Sequence, residues 1–204
     1  MSHRVDREVY CGKVHPVVLI HGIDDTSVLF KRLQPYLQER GWLTQSVDLV
    51  PNNGDAGLDQ LAQQVGDLID RHFPAKQTID LVAFSMGGLI ARYYVQRLNG
   101  LARVDRLITI STPHRGTLTA FFRWNVGARQ MRPGSTFLRD LDTDRHLLKH
   151  IRFTTIWSPL DLMIIPAVSS AIPEARSHRI NVLAHPLMLR DTRVLRTVEQ
   201  ALLG

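Results

Sequence analysis

Ser85, Asp161 and His185 stand in this chain in settings that suit the nucleophile, acid and base of acyl transfer. Ser85 interrupts the run Ile79-Asp80-Leu81-Val82-Ala83-Phe84-Ser85-Met86-Gly87-Gly88, where β-forming residues give way to one hydroxyl and two glycines before a helical pattern begins. A serine on such a strand-to-helix turn projects its Oγ as a nucleophile. The strained turn needs small neighbours two positions away on each side, here Ala83 and Gly87. An attacking serine also needs a base, and the base needs an acid to fix its tautomer. Asp161 follows the β-rich run Ile151 to Trp157 in Ser158-Pro159-Leu160-Asp161, and His185 follows the run Arg179 to Leu183 in Ala184-His185-Pro186. The C-terminal ends of parallel strands share one sheet edge, so the three can converge there. Taken singly, Asp161 also reads as a turn carboxylate capping Leu162 to Ile165, and His185 as a polar loop residue before a proline.

The charge that develops on the attacked carbonyl oxygen calls for two backbone N–H donors. Met86, directly after the nucleophile, supplies one at a helix N-terminus. The second is expected from Ile23, because Val17-Val18-Leu19-Ile20 reads as a short buried strand ending at His21-Gly22-Ile23. His21 is better placed to orient this loop than to act as base. His114, in Ser111-Thr112-Pro113-His114-Arg115-Gly116-Thr117 after the run Val104 to Ile110, is the alternative base, but it precedes Asp161, the wrong order for this architecture. His146 and His150 fall in a charged stretch and read as exposed, and His72 reads as helix C-terminal.

These motifs resemble the α/β-hydrolase superfamily, specifically its small bacterial lipases and esterases. The resemblance runs from Pro16 to about Leu203 and rests on Val17 to Ile23, on the Ala-x-Ser-Met-Gly-Gly elbow at 83–88, on Thr109 to Thr117 and on the Asp161 and His185 loops. It implies Ser85 as nucleophile, Asp161 and His185 as its partners, Ile23 and Met86 as oxyanion donors, and His114 as a structural residue. The first elbow glycine of the family is alanine here, and 204 residues leave no room for a large lid domain.

The elements that must position these groups follow from periodicity. Val28 to Arg40 reads as a helix closed by Gly41, Leu58 to Phe73 as a helix stopped by Pro74, residues 86–98 as the helix behind Ser85, and Thr192 to Leu203 as the last helix. Trp42 to Val50 reads as a strand that leads into the turn-rich loop Pro51 to Asp55. Alternation of this kind predicts an α/β-hydrolase fold, a mainly parallel central sheet with helices on both faces, over a single domain spanning 1–204. Residues 112–152 break the rhythm as a small cap-like insert. Its Phe121, Phe122, Trp124 and Met131 are the candidate acyl-binding side chains.

Composition is that of a globular chain, 44% hydrophobic and 22% charged. The net charge of +6 is uneven: residues 1–100 hold 10 basic against 11 acidic residues, whereas 101–204 hold 15 against 8. Residues 112–152 alone carry 8 basic against 3 acidic residues, which suits contact with an anionic membrane surface or anionic head groups. Nucleic acid competes as a partner, but no binding motif accompanies the charge. The single cysteine, Cys11, forbids an internal disulfide. No His/Cys cluster has metal-ligand spacing and no cofactor is implied. The N-terminus lacks an apolar signal core and no run is long enough to cross a bilayer, so a cytoplasmic or peripheral membrane location is expected.

The expected activity is hydrolysis of carboxylic esters through an acyl-enzyme on Ser85, with membrane lipids ahead of small soluble esters as substrates. The alternatives are an acyltransferase or thioesterase with the same three residues, and a non-catalytic lipid-binding protein. The sequence leaves oligomeric state, head group and chain length open.

Overall fold

Two apolar strands set the frame. The computed structural model describes residues 15–204; Cys11 and the N-terminal segment read above for a signal core lie outside these residues. Val17–Ile20 (β1) and Ile79–Phe84 (β3) are buried along their whole length, as befits strands covered on both faces. Around them lie Thr44–Val47 (β2), Val104–Ile110 (β4), Arg152–Trp157 (β5) and Arg176–Arg179 (β6), giving one sheet of order β2-β1-β3-β4-β5-β6. Every neighbouring pair is parallel, so the sheet expected from the alternation is present.

Side chains alternate between the two faces, as strand geometry demands. Val17, Leu19, Val82, Phe84, Ile108 and Ile110 pack against helices Leu33–Gln38 (α1) and Thr192–Leu203 (α6). Val18, Ile20, Leu81, Ala83 and Leu107 pack on the other face against Leu58–His72 (α2) and Met86–Arg97 (α3). Each fully buried leucine or isoleucine contributes about 1.5–3 kcal/mol relative to exposure. Helix α2 presents Leu58, Leu61, Ala62, Val65, Leu68 and Ile69 to that layer, the spacing of a one-faced helix.

Three expected elements differ from those observed. The helix expected over Val28 to Arg40 is divided into a 3-10 turn at Ser27–Phe30 and the short α1, closed at Gly41 with φ +93°. Pro35, which has no N–H to donate, sits in the first turn of α1, where none is needed. The strand expected over Trp42 to Val50 contracts to β2. The last strand lies at Arg176–Arg179 rather than Arg179 to Leu183, because an edge strand exposed along its length needs backbone pairing with β5 and not apolar side chains.

The insert between β4 and β5 contains a 3-10 turn at Leu118–Phe122, helices Val126–Gln130 (α4) and Thr136–Thr143 (α5), and a 3-10 turn at Arg145–His150. A fully buried guanidinium ties it to α3: Arg92 donates to His114 O at 3.3 Å, and to Leu141 O and Asp142 Oδ1 at 3.2 Å each. Arg97 adds Asp140 and Asp144. The other side of the insert is pinned to the loop before α2, through Gly127 N–H to Gly54 O at 2.8 Å and Asn125 Nδ2 to Asn53 O at 2.7 Å.

Candidate active site

The chain passes from β1 outward to β2, then returns to place β3 on the other side of β1. Such a reversal opens a crevice at the C-terminal ends of the two central strands. Ser85 leaves β3 there, and Gly22-Ile23 leaves β1 beside it. Ser85 has φ 54° and ψ −126°, a strained region for a residue with a Cβ that costs on the order of 1–3 kcal/mol. Its backbone is held by N–H to Ile110 O at 2.9 Å and by Gly88 N–H to its own carbonyl at 3.1 Å. The glycine at 87 is required by contact: a Cβ there would meet His21 O and Ile20 O at 2.5 Å each. A Cβ on Gly22 would lie 3.0 Å from Ser85 Cβ, so the β1 loop presses its backbone against the serine.

Asp161 and His185 are joined as the sequence suggested. His185 Nδ1 lies 2.7 Å from Asp161 Oδ2, with both side chains buried. The other carboxylate oxygen accepts from Met163 N–H at 2.9 Å and Ile164 N–H at 3.2 Å. Asp161 thus caps a turn with Oδ1 and meets an imidazole with Oδ2. Burial alone would raise its pKa, but the hydrogen bond from His185, that ring's positive charge and the Met163 N–H outweigh it and hold the carboxyl below the usual range. Phe84, next to Ser85, packs its ring on His185 with centroids 4.6 Å apart. Among the described residues, Ser85 Oγ makes no side-chain hydrogen bond; contacts of this kind often close only on substrate.

His21 is fully buried, and its two ring nitrogens are both engaged. Nε2 accepts from Leu49 N–H at 3.0 Å, which leaves Nδ1 as the donor to Gly22 O at 2.8 Å. Gly22 C=O and Ile23 N–H belong to one peptide plane, so this bond also fixes where the Ile23 N–H points. Met86 N–H, first in α3, lacks an intrahelical acceptor by position. Neither donor has a partner among the described residues, which leaves both free for an oxyanion.

Ser85 opens into a cavity of about 70 Å³ lined by Ile23, Pro113, Thr117, Thr119, Ala120, Arg123, Ala128, Met131, Met163 and Ile164. Met131, an acyl-binding candidate from the sequence, is among them. Phe121, Phe122 and Trp124 are not: they are 49%, 86% and 79% exposed and stand outside the cavity, because Ala120 and Ala128 form that wall and the turn between them faces outward. The lining residues Met163 and Ile164 escaped sequence reading, although they lie two and three positions after Asp161. Arg123, at the mouth, forms an ion pair with Asp24 of the β1 loop. His114 is buried with Nε2 2.9 Å from Thr109 Oγ1, and burial together with the nearby Arg92 and Arg115 charges pushes its pKa well below 6.5. His146 and His150 are exposed, and His72 donates from Nδ1 to Leu68 O at 2.9 Å near the end of α2. No helix of the described residues is long and apolar enough to cross a membrane.

Known proteins resemble this chain in sequence and in fold. The palmitoyl protein thioesterase family matches residues 16–136. Lysosomal thioesterase PPT2 of Mus musculus is 29% identical over 121 residues, 55% of this chain and 39% of that protein. The Homo sapiens protein of the same name is 30% identical over 117 residues, 53% of this chain and 38% of that protein. The chain thus spans about two fifths of the length of these curated relatives. Among solved structures, Bacillus licheniformis lipase BlEst2 in mature form aligns with a TM-score of 0.78 at 15% identity, over 94% of this chain and 93% of that one. Polyneuridine aldehyde esterase aligns with a TM-score of 0.63 at 18% identity, over 94% and 98%. These structures share the α/β-hydrolase fold, and the chain belongs to the palmitoyl protein thioesterase family.

Proposed function

We propose that this chain hydrolyses long-chain acyl thioesters and esters through an acyl-enzyme on Ser85. The observation that carries the reading is the pairing of an imidazole–carboxylate bond of 2.7 Å with a strained serine at the end of β3, whose neighbour Phe84 packs on the same imidazole. His185 Nε2 takes the Ser85 proton as Oγ attacks the acyl carbonyl. The tetrahedral oxyanion rests on the N–H groups of Ile23 and Met86. Collapse breaks the bond to the leaving thiol or alcohol, which receives the proton from His185. Water, deprotonated by the same ring, then attacks the ester on Ser85, and the serine regains its proton as the fatty acid leaves. Asp161 remains ionised throughout, holding the Nδ1–H tautomer and balancing the imidazolium.

A thioester suits this site because a thiol, with a pKa of about 8.5, leaves without the help an alkoxide needs. The cavity beside Ser85 is small, about 70 Å³. It therefore takes the first carbons of an acyl group, and a longer chain continues over the apolar rim. A second reading, hydrolysis of O-acyl lipids with anionic head groups, is favoured by the 8 basic against 3 acidic residues of 112–152.

The test is kcat/KM on matched palmitoyl thioesters, palmitoyl O-esters and anionic phospholipids, with Ser85→Ala in parallel. Preference for the thioester, abolished in Ser85→Ala, supports the first reading. Preference for phospholipid moves the assignment to the second. Turnover that survives in Ser85→Ala rejects both.

A further inference from the structure

The large apolar side chains left exposed are sorted by sheet edge. Among the described residues there are sixteen, and fourteen of them sit on segments that leave the C-terminal ends of strands, the edge that carries Ser85. Only Leu43, before β2, and Leu203, at the end of α6, lie elsewhere. Scattered exposed leucines need no explanation, but a one-sided accumulation marks an interaction surface. Phe122, Trp124 and Leu162 are 86%, 79% and 76% exposed and line no part of the Ser85 cavity, so acyl binding inside it does not account for them.

The segment that carries Phe122 and Trp124 is charged with one sign, and the Asp24 carboxylate of the β1 loop is taken up by its Arg123. Residues 112–139 hold five arginines and no acidic residue. The Arg132 guanidinium lies over the rings of both Phe121 and Trp124, 4.9 and 5.5 Å from their centroids. Exposed Trp and Phe flanked by arginine is the composition of a surface that rests in the headgroup layer of a bilayer, where rings reach the acyl boundary and guanidinium groups stay with the phosphates. A second copy of the chain fits less well, since a two-fold axis through this patch would set arginines against arginines.

We propose that this edge docks on an anionic lipid surface, with Phe122, Trp124 and Leu162 inserted at the interface and Arg115 and Arg129 facing lipid phosphates. The docking rests on the Ser85 reading only for its purpose: it turns the cavity mouth toward membrane-held acyl chains. Binding itself is independent of catalysis and can be measured on Ser85→Ala.

The experiment is flotation of Ser85→Ala with phosphatidylcholine vesicles, with and without phosphatidylserine, at low and high salt. The expected result is binding about tenfold tighter to the anionic vesicles, falling as salt rises. Phe122→Asp with Trp124→Asp should abolish binding to both compositions. In the active background the same pair should leave turnover of a short soluble thioester unchanged. Arg115→Gln with Arg129→Gln should lower binding to the anionic vesicles alone. Equal binding to both compositions, or binding that survives Phe122→Asp/Trp124→Asp, overturns the proposal. So does absence of binding by a protein whose wild-type form still reacts at Ser85 with a soluble fluorophosphonate, a result that leaves the hydrolase reading standing. Self-association lost in the aspartate variant would reassign the face to a second copy.

Discussion

Histidine–aspartate contacts lie at both edges of the sheet, one beside a strained serine and the other beside a guanidinium. At the C-terminal edge His185 Nδ1 lies 2.7 Å from Asp161, beside a strained serine and two uncommitted N–H donors. At the N-terminal edge His15 Nδ1 lies 3.4 Å from Asp80, and Arg106 Nη1 stands among the carboxylates, 3.3 Å from Asp80 and 2.7 Å from Asp105. A guanidinium already supplies the positive charge there. A wider cleft, about 450 Å³, also lies at that edge, lined by Arg152, Arg176 and His178 without a serine or cysteine. Size and a His–Asp contact therefore do not mark the reactive site. What distinguishes the C-terminal edge is the strained serine and two N–H groups without a partner among the described residues.

The carboxyls differ in the same sense. Asp161 is held below the usual range. Asp80 is pushed up to about 6, because burial outweighs the Arg106 and His15 charges. One edge keeps its carboxylate ionised to serve a ring; the other tolerates a buried carboxylate at some cost.

Breaking each pair should therefore damage different properties. The largest effect is catalytic: Ser85→Ala, His185→Ala or Asp161→Asn should lower kcat/KM by about 10⁴-fold or more. His15→Ala should leave it unchanged in the same thioester assay, and a reversed ranking would move the site to the other edge. Next comes stability. Arg106→Ala strands the buried Asp80 charge and should cost about 3–5 kcal/mol in urea unfolding with little change in kcat for the protein that remains folded.

Acid separates the carboxyls further. Asp80 is protonated more readily when folded than unfolded, so between pH 6 and the model-peptide value of 3.8 its contribution to stability grows as pH falls. The slope is at most about 1.4 kcal/mol per pH unit. Asp161 has the opposite sign. Its stabilisation is present above 3.8 and is lost only as pH falls through its lower folded value. Denaturant unfolding of Asp80→Asn and Asp161→Asn against wild type should show the first difference in the upper window and the second below it. The smallest effect is a gain: Ser85→Gly relieves the φ of 54° and should raise stability by about 1 kcal/mol while abolishing turnover.

Much of this was legible in the residues. Strands β1, β3 and β4 and helix α6 fall where the apolar runs place them, because buried parallel strands and one-faced helices write their environment into side-chain pattern. Asp161 and His185 were legible through chain order, since strand ends in a parallel sheet meet at one edge. Strand β6 was not, because its Arg-Ser-His-Arg sequence is set by exposure at the sheet margin. The cavity wall was hidden for a different reason. Thr117 and Met163 become neighbours only when the loops after β4 and β5 fold together, with Thr117 Oγ1 donating to Met163 O at 2.9 Å. Aromatic content in 112–152 likewise could not show which side chains line the cavity: Ala120 and Ala128 form its wall, and Phe122 and Trp124 stand outside it.

The central claim is that Ser85 carries the acyl group. Its most direct test is intact-protein and peptide mass spectrometry after exposure to a fluorophosphonate. The expected result is one adduct per chain, mapped to Ser85, absent in Ser85→Ala and strongly slowed in His185→Ala. Absence of an adduct on folded protein, or an adduct on another residue that persists in Ser85→Ala, would contradict the claim.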